Sequence, residues 1–162
     1  FDQKVRIVGN LPYNISTPIL FKCIENIQIV KDLHFMLQKE VVDRMIAIPS
    51  SSEYGRLSVM LQYYFSMERL VQVPKEAFAP ENKDESSFLR LIPYEQYPFI
   101  ANNINQFGKI VKEAFSQRRK TIRNTLKSFI NENDFEKIGI NPQLRAENLS
   151  VSDFVNISNY LD

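Results

Sequence analysis

The chain has 162 residues, a formal net charge of +1 and 44% hydrophobic residues. This composition is typical of a globular protein with a substantial core and excludes an intrinsically disordered chain. A single cysteine, Cys23, excludes an intrachain disulfide framework and a cysteine-rich zinc module. The apolar runs are far shorter than the roughly 18–20 residues of a membrane span, and no secretory signal pattern is visible, so we expect a cytoplasmic protein without a membrane partner.

The N-terminal part of the chain predicts two successive units of strand, loop and helix. Residues 5–8 form a β-branched run that the turn at residues 9–12 closes, and the Thr17-Pro18 pair predicts the N-cap and first turn of a helix. Residues 33–37 predict a buried strand, and residues 41–46 predict the helix after it. Two such units favour a parallel sheet.

The middle of the chain predicts one more helix and two further strands. Apolar residues recur at helical spacing over residues 57–65. Residues 70–73 and 88–92 have the β-branched and apolar character of strands, and they flank a loop rich in proline and charge. The fold class expected for this part of the chain is therefore α/β.

A break in the pattern near residues 94–100 predicts a domain boundary. We therefore assign residues 1–95 to an α/β domain and residues 96–162 to a small all-α domain. The following apolar residues recur at three- and four-residue steps, with one interval of seven: Ile104, Phe107, Val111, Phe115, Ile122, Leu126 and Phe129. This stripe predicts one long helix or two joined end to end, and shorter helices are expected at residues 134–138 and 152–161, the last with Ser152 as its predicted N-cap.

The loop Asn10-Leu11-Pro12-Tyr13 is the strongest candidate for chemistry, because ligands of open α/β sheets bind beyond the carboxyl ends of the strands. The Asn10 side-chain carbonyl and the Pro12 backbone carbonyl can accept hydrogen bonds, and Tyr13 offers an aromatic face. These groups suit a flat substrate that bears an amino group. The alternative is a tight turn with a packing tyrosine.

A basic cluster without any acidic residue lies between residues 116 and 127. On a helix, Lys120, Arg123 and Lys127 share one face that could follow the phosphates of a nucleic acid. We take these three and Arg119 as candidate RNA contacts, with a solvated helical face as the alternative. Arg118 falls on the apolar stripe and is expected to be partly buried and paired.

The remaining candidates have ordinary structural interpretations. His34 lies in an apolar strand without a second histidine or a cysteine nearby, so a core or hydrogen-bonded histidine is expected rather than a metal ligand. Cys23 falls on the core side of its predicted helix. No metal site is expected.

Six blocks of the sequence together form a recognisable pattern. The first block is the segment Val-Gly-Asn-Leu-Pro-Tyr-Asn-Ile-Ser-Thr-Pro at residues 8–18. The other blocks lie at residues 36–41, 54–59, 78–80, 114–121 and 145–147. In this order the blocks resemble those of the rRNA adenine N6,N6-dimethyltransferases that act on small-subunit RNA, and the resemblance covers essentially the whole chain.

This resemblance implies the C-terminal part of a Rossmann-like class I methyltransferase sheet, followed by a helical RNA-binding domain. The implied activity is transfer of methyl groups from S-adenosylmethionine to two adjacent adenosines near the 3′ end of 16S rRNA, during biogenesis of the small subunit. In the resemblance, Asn10 and the Pro12 carbonyl orient the adenine N6, Tyr13 stacks on the flipped base, and Phe78 covers its other face. Asn82 and Asp84 stand where the family usually has a proline and an apolar residue.

The resemblance assigns only Asn10 of this chain to the S-adenosylmethionine site and places the other cofactor contacts before residue 1. We therefore expect that the chain alone exposes a sheet edge, binds the cofactor weakly and is inactive. The alternatives are a non-catalytic ribosome-assembly factor, a resistance-type methyltransferase of 23S rRNA and a DNA adenine methyltransferase. The loop from Asn10 to Tyr13 argues against the first, and the basic block with the helical tail argues against the other two.

Overall fold

The structure is a computed structural model that describes residues 3–162. Four strands lie within the described residues: β1 (Val5–Asn10), β2 (Val30–Gln38), β3 (Phe65–Val73) and β4 (Ser86–Pro93). The helices are α1 (Ser16–Glu25), α2 (Lys39–Met45), α3 (Arg56–Tyr64), α4 (Ile104–Ala114), α5 (Ile122–Thr125), α6 (Glu132–Ile138) and α7 (Val151–Tyr160). Single 3₁₀ turns lie at Ile27–Ile29, Lys75–Ala77 and Ala146–Asn148.

The strands form one mixed sheet in the order β1-β2-β4-β3, which confirms the α/β class. β1 and β2 are parallel, as the two strand, loop and helix units predict. β4 lies between β2 and β3 and is antiparallel to both. Its Leu89 and Leu91 side chains are fully buried, because alternate residues of a strand share one face of the sheet and this face packs on the core.

β1 lies at the edge of the sheet formed by the described residues. Its side chains are half-buried at best, and Val8 is 65% exposed. The expected exposed sheet edge is therefore present among these residues. The parallel pairing of β1 with β2 brings Asn10 beside Met36, so β1 ends level with the carboxyl end of β2.

Two of the expected helix starts are wrong. α1 begins at Ser16 rather than after Thr17, and its N-cap, Ile15, provides no side-chain hydrogen bond. Pro18 still falls in the first turn, where a backbone N–H has no helical partner to lose. α7 is capped by Ser150 rather than Ser152, since the Ser150 hydroxyl accepts from the Asp153 N–H and the Asp153 carboxylate accepts from the Ser150 N–H.

The apolar stripe after residue 104 forms two helices, α4 and α5, which are separated by turns over residues 115–121. The Ser116 hydroxyl donates to the Glu113 carbonyl at 2.6 Å, and the Lys120 N–H donates to the Gln117 carbonyl at 3.0 Å. These local hydrogen bonds replace helical ones over the polar run. No helix among the described residues is long and apolar enough to cross a membrane.

The described residues group into two compact units. The first contains residues 3–46 and Tyr64–Gln96, and the second contains Ala47–Tyr63 and Tyr97–Asp162. The second unit therefore includes nearly all of α3, a grouping that the sequence pattern did not predict. Its core includes Tyr54, which is fully buried and donates its hydroxyl to the Leu149 carbonyl at 2.7 Å.

Candidate functional site

The loop that follows β1 is fixed to the sheet by one residue and open to solvent at its neighbours. Leu11 is buried, and its N–H donates to the Met36 carbonyl at 3.0 Å, which continues the pairing of β1 with β2. Asn10 and Pro12 on either side are exposed. The buried leucine therefore holds two polar groups, the Asn10 amide and the Pro12 carbonyl, at the carboxyl end of the strand.

Two hydrogen bonds define the turn from Pro12 into α1. The Ile15 N–H donates to the Pro12 carbonyl at 3.2 Å, and the Ser16 hydroxyl donates to the Tyr13 carbonyl at 3.3 Å. The sequence had suggested a free Pro12 carbonyl, but this carbonyl already accepts one hydrogen bond within the turn. A carbonyl oxygen has two lone pairs, so one acceptor position remains for a ligand.

The loop between β3 and β4 brings Phe78 to the same place. Phe78 follows the 3₁₀ turn Lys75–Ala77 and is half-buried. A concavity of about 240 Å³ is lined by Asn10, Leu11, Pro12, Tyr13, Phe78 and Asn82. The four residues that the sequence analysis named for substrate binding therefore lie around one concavity, and two of them are aromatic.

Asn82 and Ser86 were not predicted as site residues, yet both contact Tyr13. The Asn82 amide donates to the Tyr13 hydroxyl at 3.1 Å, and the Tyr13 and Ser86 hydroxyl oxygens are 3.1 Å apart. Asn82 was visible in the sequence only as a departure from the family pattern. Nothing else marks Asn82 in the sequence, because the loop around it is rich in charged residues.

Two arginines of the basic block, Arg118 and Arg123, form polar contacts with other residues of the chain. Arg118 donates to the carbonyls of Ser52 and Tyr54, both at 3.1 Å, and lies 3.7 Å from Glu147. The expected pairing of Arg118 is confirmed, and its side chain is 53% exposed. Arg123 forms an ion pair with Glu132 at 3.1 Å.

Lys120 and Lys127 line a second concavity, of about 380 Å³, in the C-terminal unit. The remaining lining residues are Glu113, Gln117, Asn124, Thr125 and Ser128. The expected single helical face is wrong, because Lys120 lies in the turns before α5 and Lys127 in the turn after it. Arg119 is exposed but does not line this groove, and neither does Arg123.

His34 lies beside a charged pair on the first two strands. Arg6 donates two hydrogen bonds to the Asp32 carboxylate, at 2.7 and 3.0 Å, and these bonds hold the pKa of Asp32 below its ordinary value. The His34 Nδ1 atom lies 3.2 Å from the same carboxylate. Within residues 3–162, no group of three or more potential ligands could hold a metal ion.

Comparison with solved structures identifies the class of fold. A dimethyladenosine transferase from Plasmodium falciparum superimposes with a TM-score of 0.82 at 24% sequence identity, over 97% of this chain and 66% of that one. The 23S rRNA methyltransferase ErmE gives a TM-score of 0.73 at 20% identity, over 100% of this chain and 67% of that one. The fold is therefore a mixed α/β sheet with helices, similar to a large part of each of these two methyltransferase structures.

Sequence comparison identifies the family. The ribosomal RNA small subunit methyltransferase A of Methylobacillus flagellatus is 58% identical over 160 residues, and that of Neisseria meningitidis is 56% identical over 158 residues. These matches cover 99% and 98% of this chain, but the chain spans only 63% and 61% of the two relatives. The family model for ribosomal RNA adenine dimethylases matches residues 1–162, so the chain belongs to that family.

Proposed function

We propose that the protein containing this chain transfers methyl groups from S-adenosylmethionine to the N6 amino groups of two adjacent adenosines near the 3′ end of 16S rRNA. The observation that carries this proposal is the convergence of Asn10, Pro12, Tyr13 and Phe78 on one concavity at the carboxyl end of β1. Family membership and the names of the relatives support the same activity.

The chemistry that these residues supply is positioning. The Asn10 side-chain oxygen and the remaining acceptor position of the Pro12 carbonyl each accept an N–H of the adenine amino group, which fixes the nitrogen in the loop. Tyr13 and Phe78 stack on the two faces of a base that has left its helix. These contacts need neither a metal nor a covalent nucleophile from this chain.

S-adenosylmethionine, when bound, supplies a methyl group on a positively charged sulfur. Asn10 is the residue of this chain that we assign to the cofactor site, and its exposed amide at the end of β1 fits a role between cofactor and base. Asn10 and the Pro12 carbonyl would hold the amino nitrogen toward that methyl group, and the proton that the nitrogen gives up would pass to solvent. A second transfer to the same nitrogen gives the dimethylated base.

We further propose that Arg119, Lys120, Arg123 and Lys127 contact the phosphates of the rRNA. Lys120 and Lys127 are the strongest of these candidates, since both line the groove in the C-terminal unit. Arg123 is the weakest, because Glu132 already neutralises part of its charge.

The test is methyl transfer from labelled S-adenosylmethionine to unmethylated small ribosomal subunits by the full-length protein, with Asn10→Ala and Gln28→Ala variants in parallel. We expect Asn10→Ala to lower the rate roughly 100-fold, because a misplaced reacting group costs about that factor. Gln28 is an exposed amide outside the concavity, so its variant controls for the loss of an amide. Subunit binding without methyl transfer by the wild type contradicts the proposal and favours an assembly factor.

A further inference from the structure

The hydroxyl group of Tyr13 is held between two side chains from the chain segment that precedes and begins β4. Asn82 donates its amide to the Tyr13 oxygen at 3.1 Å. Because this oxygen accepts from Asn82, the tyrosine proton is free to be donated to the Ser86 hydroxyl, 3.1 Å away. One arrangement therefore satisfies both hydrogen bonds.

The two partners of Tyr13 belong to differently anchored parts of the chain. Ser86 is 1% exposed and is paired in the sheet with Gln38 and Val73, so its position is fixed by β2 and β3. Asn82 lies in the loop, where its own N–H donates to the Lys75 carbonyl at 3.2 Å. The phenol of Tyr13 therefore links this loop to the sheet.

The same loop carries Phe78. The Phe78 N–H donates to the Lys75 carbonyl at 3.4 Å, so Asn82 and Phe78 share one acceptor at the start of the loop. The Asn82 side chain joins this loop to Tyr13, so a change of that side chain affects both aromatic rings of the concavity. The Tyr13 ring loses a hydrogen bond directly, and the Phe78 loop loses its link to Tyr13.

We propose that Asn82 is a positioning residue that holds Tyr13 and the Phe78 loop in place around a flat purine base. This inference rests on the proposed function, in which both rings stack on the adenine. Asn82 acts through the Tyr13 hydroxyl and the loop backbone, and it does not contact the reacting atoms. We expect its effect on the steps after subunit binding, because the phosphate contacts proposed above, such as Lys120 and Lys127, lie outside this concavity.

The experiment is a double-mutant cycle in the full-length protein with Asn82→Ala, Tyr13→Phe and the combined variant. The kcat and the KM for unmethylated small subunits are measured for each. We expect Asn82→Ala to lower kcat about three- to tenfold, the effect of losing one ordinary hydrogen bond, while KM changes less than about twofold. In the Tyr13→Phe background, the same Asn82 substitution should change kcat by less than about twofold, because its partner is already absent.

The cycle separates the positioning role from a structural role of the loop and from failure of the proposed function. Equal factors for Asn82→Ala with and without the Tyr13 hydroxyl overturn the inference, as does a wild-type kcat in the single variant. A loss confined to KM also overturns it. Thermal unfolding of every variant, with Gln28→Ala as the matched amide control, identifies a variant that has lost its fold, and Asn82→Ser then replaces Asn82→Ala in the cycle. If the wild type transfers no methyl group, the proposed function itself fails.

Discussion

The Arg6–Asp32 pair shows how one residue pair makes the stability of the first two strands depend on pH. Arg6 and Asp32 face each other in the register of β1 and β2, and the Asp32 side chain is only 10% exposed. The pKa of Asp32 is lowered, first through the hydrogen bonds from Arg6, despite the opposing effect of burial. The carboxylate is therefore more favoured in the folded protein than in the unfolded chain.

We predict that Arg6→Met destabilises the full-length protein at pH 7 and that the difference from wild type shrinks as the pH falls below about 4, the ordinary pKa of aspartate. A group whose folded pKa is depressed contributes stability above its unfolded pKa and loses it as the pH falls through the folded value. Urea unfolding at a series of pH values measures the difference. The exposed Lys22–Glu25 pair provides the control, and a Lys22→Met effect as large as that of Arg6→Met contradicts the prediction.

At the residue scale, the sequence predicted which side chains meet in the site but not how they are held. The turn predicted at residues 9–12 indicated that Asn10, Pro12 and Tyr13 would lie at the carboxyl end of the first strand, and Asn10 is the last residue of β1 in the structure. The hydrogen bond from Asn82 to Tyr13 spans 69 residues of sequence. No local pattern carries such a contact, since it depends on the pairing of β4 with β2.

At the scale of elements, strand and helix periodicity located the regular structure. It did not show where α4 ends and α5 begins, because the helical spacing of apolar residues continues across the gap between them. Phe115 and Ile122 are seven residues apart, which is close to two helical turns, so the apolar stripe continues across the break between α4 and α5. The interruption instead follows from the polar residues between them. Arg118 donates to backbone carbonyls of Ser52 and Tyr54, contacts that the stripe could not reveal.

Two glycines in the C-terminal unit are predicted to respond oppositely to alanine. Gly108 lies inside α4, where an added Cβ meets only Met60 Cε at 3.9 Å, so Gly108→Ala should stabilise the protein by about 1 kcal/mol through helix propensity. Gly139 ends α6 with φ of +79°, so Gly139→Ala should destabilise it by roughly 1–2 kcal/mol. Urea unfolding of both variants measures the two effects. The same sign for both variants would show that backbone conformation does not control them.

At the scale of the whole molecule, net charge is uninformative about RNA binding. Twenty basic residues against nineteen acidic ones leave a charge of +1, so any attraction to phosphate must come from local grouping. The structure supplies that grouping in the groove that contains Lys120 and Lys127, together with the amides of Gln117 and Asn124. Glu113 in the same groove limits how much positive charge the groove presents.

The sequence could not predict how the chain divides into two units, because each unit contains two separate stretches of the chain. The chain passes between the two units between Gln96 and Tyr97, and it also does so before Ala47 and after Tyr63. Residues 47–55 lie in turns and irregular structure and residues 56–63 lie in α3, and local periodicity does not decide which unit such residues join. Their assignment depends on long-range contacts such as that of Tyr54 with Leu149.

The final prediction concerns the dependence of RNA binding on salt. We expect Lys120→Gln and Lys127→Gln each to weaken the affinity of the full-length protein for unmethylated small subunits and to reduce the slope of log affinity against log salt by roughly 0.7–0.9, the value for one lost phosphate contact. Arg123→Gln should have a smaller effect because Glu132 pairs with Arg123. Lys109→Gln, an exposed lysine on α4 outside the groove, is the control. Equal slopes for the groove variants and the control would exclude the groove as a phosphate-binding surface. A smaller slope in the groove variants alone would show that Lys120 and Lys127 bind phosphate, rather than that any exposed lysine attracts RNA.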